Sequence, residues 1–289
     1  MSVPPLSVPP LSVPPLSVPP LSVARWPGVL RAEWTKARTL ASTGWLLLAA
    51  VATTVAVSTA VAAAVSCPAA VSFPAGNCAA DPARISLTGI YLGQAVVAIL
   101  AVLMISSEYS TGMIRVTLAA MPRRWMVLAA KAAILTGLIL ACGAVAVLGC
   151  VLAGQIILSG HGIDPAHGYP SLSLSDGPVL RATAGSVLYL ALIALLSLGI
   201  ATAVRDSATA IGVVLGLLYL FPIAGAALGG SPLARHLQQI GPMTAGLAIQ
   251  ATTGLRNLPI SPWAGLGVLA AWAAAALLAG GLLLCLRDA

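Results

Sequence analysis

Residues able to do chemistry are few in this chain and gather at the edges of apolar runs. The richest group is the stretch 106–131, SSEYSTGMIRVTLAAMPRRWMVLAAK: Glu108 stands near its start, Arg115 in its middle, and Pro122-Arg123-Arg124 just before Trp125. It is a polar, basic interruption between two long apolar runs, and the place where the chain would meet a soluble partner. Cys67 and Cys78 form a second pair in a segment punctuated by Pro68, Pro74, Asn77 and Pro82. They close a disulfide loop, a linkage typically worth about 2–3 kcal/mol, or stand as two free thiols; sequence does not supply the Cα separation that would decide. His161, Asp164, His167 and Asp176 form a third group. Their spacing matches no HExxH or Cys/His ligand pattern, and the Gly, Ser and Pro around them point to a solvated loop rather than a metal site. Cys142, Cys150 and Cys285 lie inside apolar runs, where cysteine behaves as a small hydrophobe.

Missing motifs narrow the chemistry further. The chain has no GxxxxGK[ST] phosphate loop, and its only lysines, Lys36 and Lys131, lack the glycines that such a loop needs. It has no GxSxG nucleophile elbow. No Asp or Glu stands in the middle of an apolar run, where an ion-coupled carrier normally keeps one at a cost of roughly 2.5 kcal/mol or more. The expectation is therefore a non-enzyme that holds no cofactor of its own. If it moves a solute, the energy comes from another chain.

The elements that must position these residues are membrane helices. Hydrophobic residues make up 59% of the 289, charged residues 7%, and the mean hydropathy is +1.01; a soluble domain carries about 25% charged residues. The net charge of +7 would suggest nucleic acid in a soluble chain. Here the basic residues flank apolar runs and lack aromatic interleaving, which points to anionic headgroups and topology and away from nucleic acid.

Taken in order, residues 2–21 are four copies of SVPPL, whose prolines predict an extended, polyproline-like tail over 1–24, outside the folded part. Residues 25–41 predict a basic interfacial helix with Trp26, Leu30, Trp34, Ala37 and Ala41 on one face. Six spans follow within the domain 25–289, over 45–65, 85–105, 125–158, 179–204, 208–228 and 263–286, each with the roughly 20 apolar residues that a crossing needs. The third is longer than one crossing, and Lys131 near its start is expected to snorkel to the headgroups. Residues 229–262 are too polar for a span and too apolar for a loop, which suggests a surface-lying or re-entrant pair of short helices. Ten of the fourteen Lys and Arg residues fall on one side of this topology, and that bias puts both termini and the 108–124 stretch in the cytoplasm, in a multi-pass protein of the cytoplasmic membrane.

Three passages together resemble the ABC-2 type permeases, the membrane subunits of bacterial ATP-driven exporters. They are RAEWTKARTLASTGW (31–45), the stretch 106–131 quoted above, and the semi-polar segment between the fifth and sixth spans. The resemblance covers about residues 25–289 and implies an all-α membrane domain with an outward re-entrant segment. It implies that two such subunits pair, as homodimer or heterodimer, and that a separate ATP-binding subunit holding ATP and Mg²⁺ docks beneath each. Tyr109 to Met121 would then be the coupling helix, with Tyr109, Met113, Ile114 and Leu118 filling a groove of the ATPase and Arg115 meeting acidic groups at its rim. Glu108 would pair with Arg31, Lys36 or Arg38 of the interfacial helix and pass motion into the spans. Ser110 departs from the basic residue that many such permeases have after the Glu-Tyr pair. A membrane scaffold that only recruits a partner, and an ATP-independent carrier, are the alternatives.

Overall fold

In an apolar run with no water at hand, backbone N–H and C=O groups must pair within the chain, and a helix does this locally. The structure, a computed structural model, describes residues 26–39, 41–65, 81–113, 124–163, 165 and 169–286. Among these it is all-helical, without strands. Six helices are long and apolar enough to cross a membrane: α2 (Ala41–Ala64), α4 (Ile90–Ser110), α5 (Arg124–Gly160), α6 (Gly177–Val204), α7 (Ser207–Ala227) and α10 (Pro262–Leu286). The shorter helices are α1 (Trp26–Thr39), α3 (Pro82–Ser86), α8 (Pro232–Ile240) and α9 (Pro242–Gly246), with 3-10 turns at Leu247–Gln250 and Leu255–Asn257. The two cysteines of the first loop, Cys67 and Cys78, lie outside the described residues, as does the SVPPL tail.

The six spans fall close to the sequence expectation, with two informative differences. The second starts at Ile90 rather than near 85, because Asp81 and Pro82 open a separate one-turn helix. The Asp81 carboxylate accepts hydrogen bonds from the N–H groups of Ala83 (3.2 Å) and Arg84 (3.3 Å), an N-cap with proline at the first helical position. The same span then runs on to Ser110 instead of stopping near 105, so Glu108 lies inside the last turn of α4. Helix α5, with 37 residues at 1.5 Å each, is about 55 Å long, well beyond a single hydrocarbon thickness.

Helix α6 is the hub. The apolar window of α6 is 61% buried and that of α4 56%, whereas those of α2, α7 and α10 are only 22% buried and present apolar side chains outward. That is the pattern of inner helices ringed by lipid-facing ones. Helices α6 and α10 approach closely where Gly199 faces the backbone of Ala276 and Gly280 faces Gly199. A Cβ on Gly199 would sit 2.5 Å from the Ala276 carbonyl carbon, so only hydrogen fits at this crossing.

The chain's course gathers functional groups at two ends. One end carries α1, the ends of α4, α6 and α10, and the starts of α2, α5 and α7. The other carries α3, α8, α9 and the 3-10 turns. There, Asp81 also accepts from Thr252 N (2.6 Å), Thr252 Oγ1 (2.6 Å) and Thr253 N (3.1 Å), and Arg181 Nη2 donates to Ala251 O (2.5 Å). These bonds fix the 251–253 turn onto the span starts.

Candidate functional site

The chain contains two glutamates and two lysines in all, and the structure brings the four together. Glu33 and Lys36 lie one turn apart on α1, Glu108 in the last turn of α4, and Lys131 two turns into α5. Lys36 Nζ donates to Glu33 Oε1 (3.1 Å) and Glu108 Oε1 (3.0 Å); Lys131 Nζ donates to Glu33 Oε2 (2.7 Å) and Glu108 Oε1 (3.0 Å). Signs alternate around a closed ring whose charges sum to zero. Three members are deeply buried, with Lys131 at 2% side-chain exposure, Glu33 at 1% and Glu108 at 8%, while Lys36 is 30% exposed.

Electrostatics follow from that geometry. Burial alone would raise the Glu33 pKa, but the ammoniums of Lys131 and Lys36 outweigh it and hold the carboxyl below its usual range. Burial alone would lower the Lys36 pKa; its hydrogen bond to Glu108 and the charges of Glu33 and Glu108 prevail and raise it. The ring is thus fully ionised at neutral pH on its α1 side. Among the described residues Glu108 uses only Oε1, and its buried Oε2 has no partner there.

A second contact adjoins the first. Arg205 follows α6 in a left-handed conformation (φ 66°) and places its guanidinium carbon 5.6 Å from the Tyr109 ring centroid, while its Nη2 lies 3.5 Å from Leu283 O at the end of α10. Neighbouring residues at the end of α4 therefore reach opposite ways: Glu108 to α1 and α5, Tyr109 to the α6–α7 corner.

The resemblance singled out Arg31, Lys36 and Arg38 as partners of Glu108. The structure brings Lys36 to it and leaves Arg31 and Arg38 exposed on the far side of α1. The face of α1 turned to the protein is Val29, Glu33, Lys36 and Ala37; of the described side chains on the expected apolar face (Leu30, Trp34, Ala37 and Ala41), Ala37 alone is buried and Trp34 is 48% exposed. Lys131, expected to reach for headgroups, is instead covered by α1, which packs across the start of α5. Glu33 escaped the sequence reading altogether. Its signal was there, a carboxylate three residues before the only lysine of a basic helix. Tyr109 is half-buried in α4 and Met113 is exposed at the edge of the described segment, whereas Ile114, Arg115 and Leu118 lie outside it. Of the histidine loop, His161 is exposed with Nδ1 2.9 Å from Ile157 O, Asp176 accepts from Ser171 Oγ, and Asp164 and His167 lie outside the described residues.

No protein-family model matches this chain, and no curated protein does.

Proposed function

We propose that this chain is the membrane-spanning permease subunit of an ATP-driven ABC exporter in the cytoplasmic membrane, with both termini cytoplasmic. In this reading two six-span subunits pair around a path for the solute, and a separate ATP-binding subunit, which holds ATP and Mg²⁺, docks on Tyr109 to Met121. The observation that carries it is the ring. The docking stretch leaves α4 just after Glu108 and returns through α5 to Lys131, and those two side chains bond each other at 3.0 Å. A push on the stretch is thereby delivered to the ends of two spans and, through Glu33 and Lys36, to α1. An ion-pair network with one partly exposed member suits such a joint, since water can take the place of a carboxylate at Lys36 when α1 shifts. Helices α8 and α9 fit the re-entrant segment of that architecture, and α1 its interfacial helix.

Affinity purification of the tagged chain from its native host tests the reading. A nucleotide-binding ATPase should co-purify with the intact chain and be lost when 109–121 is replaced by Gly and Ser. Reconstituted with that ATPase, Glu108→Gln should lower transport-linked ATP hydrolysis. A folded intact chain that brings down no ATPase overturns the proposal and leaves the scaffold reading in front.

A further inference from the structure

Helix α1 has two faces of different kind. Inward lie Val29, Glu33, Lys36 and Ala37. Outward, at positions i, i+3 and i+7, lie Arg31, Trp34 and Arg38, all exposed, which places them on one side of the helix away from the ring. We propose that this outward face is a binding site for anionic phospholipid headgroups. The inference does not depend on the transport reading.

Charge supplies the first argument. Glu33 is the only acidic residue of α1, and its charge is spent on Lys36 and Lys131 inside the ring. The ring is neutral as a unit, so the field leaving α1 is that of Arg31 and Arg38. Neither makes an ion pair among the described residues. Two free guanidiniums on one face offer forked donors to phosphate oxygens, and a net-negative headgroup gains more from them than a zwitterionic one.

Position supplies the second. Thr39 ends α1 and Ala41 begins α2, a 24-residue apolar helix whose sides are mostly uncovered. Helix α1 therefore lies where the first span leaves the hydrocarbon, at headgroup level. Trp34, half-exposed between the two arginines, is the residue type that settles at that level, with its ring among the upper acyl chains and its N–H toward water. A soluble acidic partner would be met by the arginines but gives no account of a tryptophan between them beside a span. Ring and site share one short helix, so a headgroup on the outer face braces the same element whose inner face completes the ring.

The test uses the full chain in nanodiscs of phosphatidylcholine doped with a photoactivatable headgroup probe, either phosphatidylglycerol or phosphatidylcholine, with labelled residues mapped by mass spectrometry. The glycerol probe should label residues 26–39 in preference to the choline probe by about five-fold for each arginine at low salt. Added salt should erode the preference as screening shortens the range of the field. R31Q/R38Q should abolish it. R31K/R38K, which keeps the charge on the same exposed face, should retain most of it, and R235Q/R256Q at the other end should leave it intact. Equal labelling of α1 by the two probes, or a preference that survives R31Q/R38Q, overturns the proposal.

Discussion

Replacing Lys131 by methionine removes the deeper of the two ammoniums that hold the ring. The side chain is 2% exposed and touches both carboxylates, Glu33 at 2.7 Å and Glu108 at 3.0 Å. Two buried carboxylates would be left sharing Lys36, itself 30% exposed and part-screened by solvent. Removing one partner of a buried ion pair costs about 3–5 kcal/mol, chiefly because the other charge is stranded. The least expensive escape is for α1 to lift off and let Glu33 reach water. At 1.4 kcal/mol per decade, the open fraction of α1 should rise by roughly two to three and a half powers of ten. A cysteine at Val29, 1% exposed on the docked face, in a chain whose native cysteines have been replaced, reports this as its labelling rate by a water-soluble maleimide. Combining K131M with Glu33→Gln removes one of the stranded charges, and labelling should slow at least about tenfold relative to K131M alone. A K131M rate within about threefold of the parent would refute the reasoning, as would a double variant no slower than the single.

Other outcomes follow from the same structure. The pH dependence of α1 docking has two limbs. The depressed Glu33 pKa stabilises docking above the ordinary carboxyl range and loses that contribution as pH falls through the folded value; the raised Lys36 pKa stabilises it below the ordinary lysine range and loses it as pH rises through its own. The Val29→Cys labelling rate should therefore be flat between about pH 5 and pH 10, after correction for thiolate fraction, and rise outside that window. Lys36→Met should act in the same assay with a smaller effect than K131M, because its partly exposed ammonium is discounted by solvent. Gly199→Ala forces α6 and α10 apart and should destabilise the chain by about 1–3 kcal/mol or more, seen as a lower thermal midpoint in detergent. Asp81→Ala strips the acceptor from Thr252 and Thr253 and should open the 251–253 turn to protease, with the α1 end unaffected.

Helix number and placement were legible in the sequence because each crossing is a long apolar run with no rival structure available to it. The ends were less legible, for a physical reason. Hydropathy falls at the first charged residue, so the second span was closed near 105, yet α4 runs through Glu108 because Lys36 and Lys131 neutralise that carboxylate where it lies. The start of the span was misplaced by a cap: Asp81 and Pro82 make a turn of helix of their own before the Gly89 N–H bonds Ser58 Oγ at 2.9 Å. Of the ring, Glu108 and Lys36 were among the partners that the resemblance implied, Lys131 was assigned to the headgroups, and Glu33 was given no role. An isolated charge beside an apolar run looks the same whether it faces headgroups or a counter-charge from residues far along the chain. Burial separates the two cases, and burial is a tertiary property. For α1, the tryptophans suggested a face for the membrane interface and left open which side meets the protein. The structure turns the charged pair Glu33 and Lys36 inward, because two carboxylates and two ammoniums can satisfy one another there.

The ring also determines how the chain meets amine chemistry. Both lysines of this protein sit in it, one nearly sealed and the other only part-open. Acylating reagents and lysine-directed cross-linkers thus reach Lys36, which is 30% exposed, on the closed molecule, whereas Lys131 becomes a target only when the joint opens. A time course of Lys131 acylation in the membrane, read residue by residue against Lys36, would show how often the joint opens, without any engineered label.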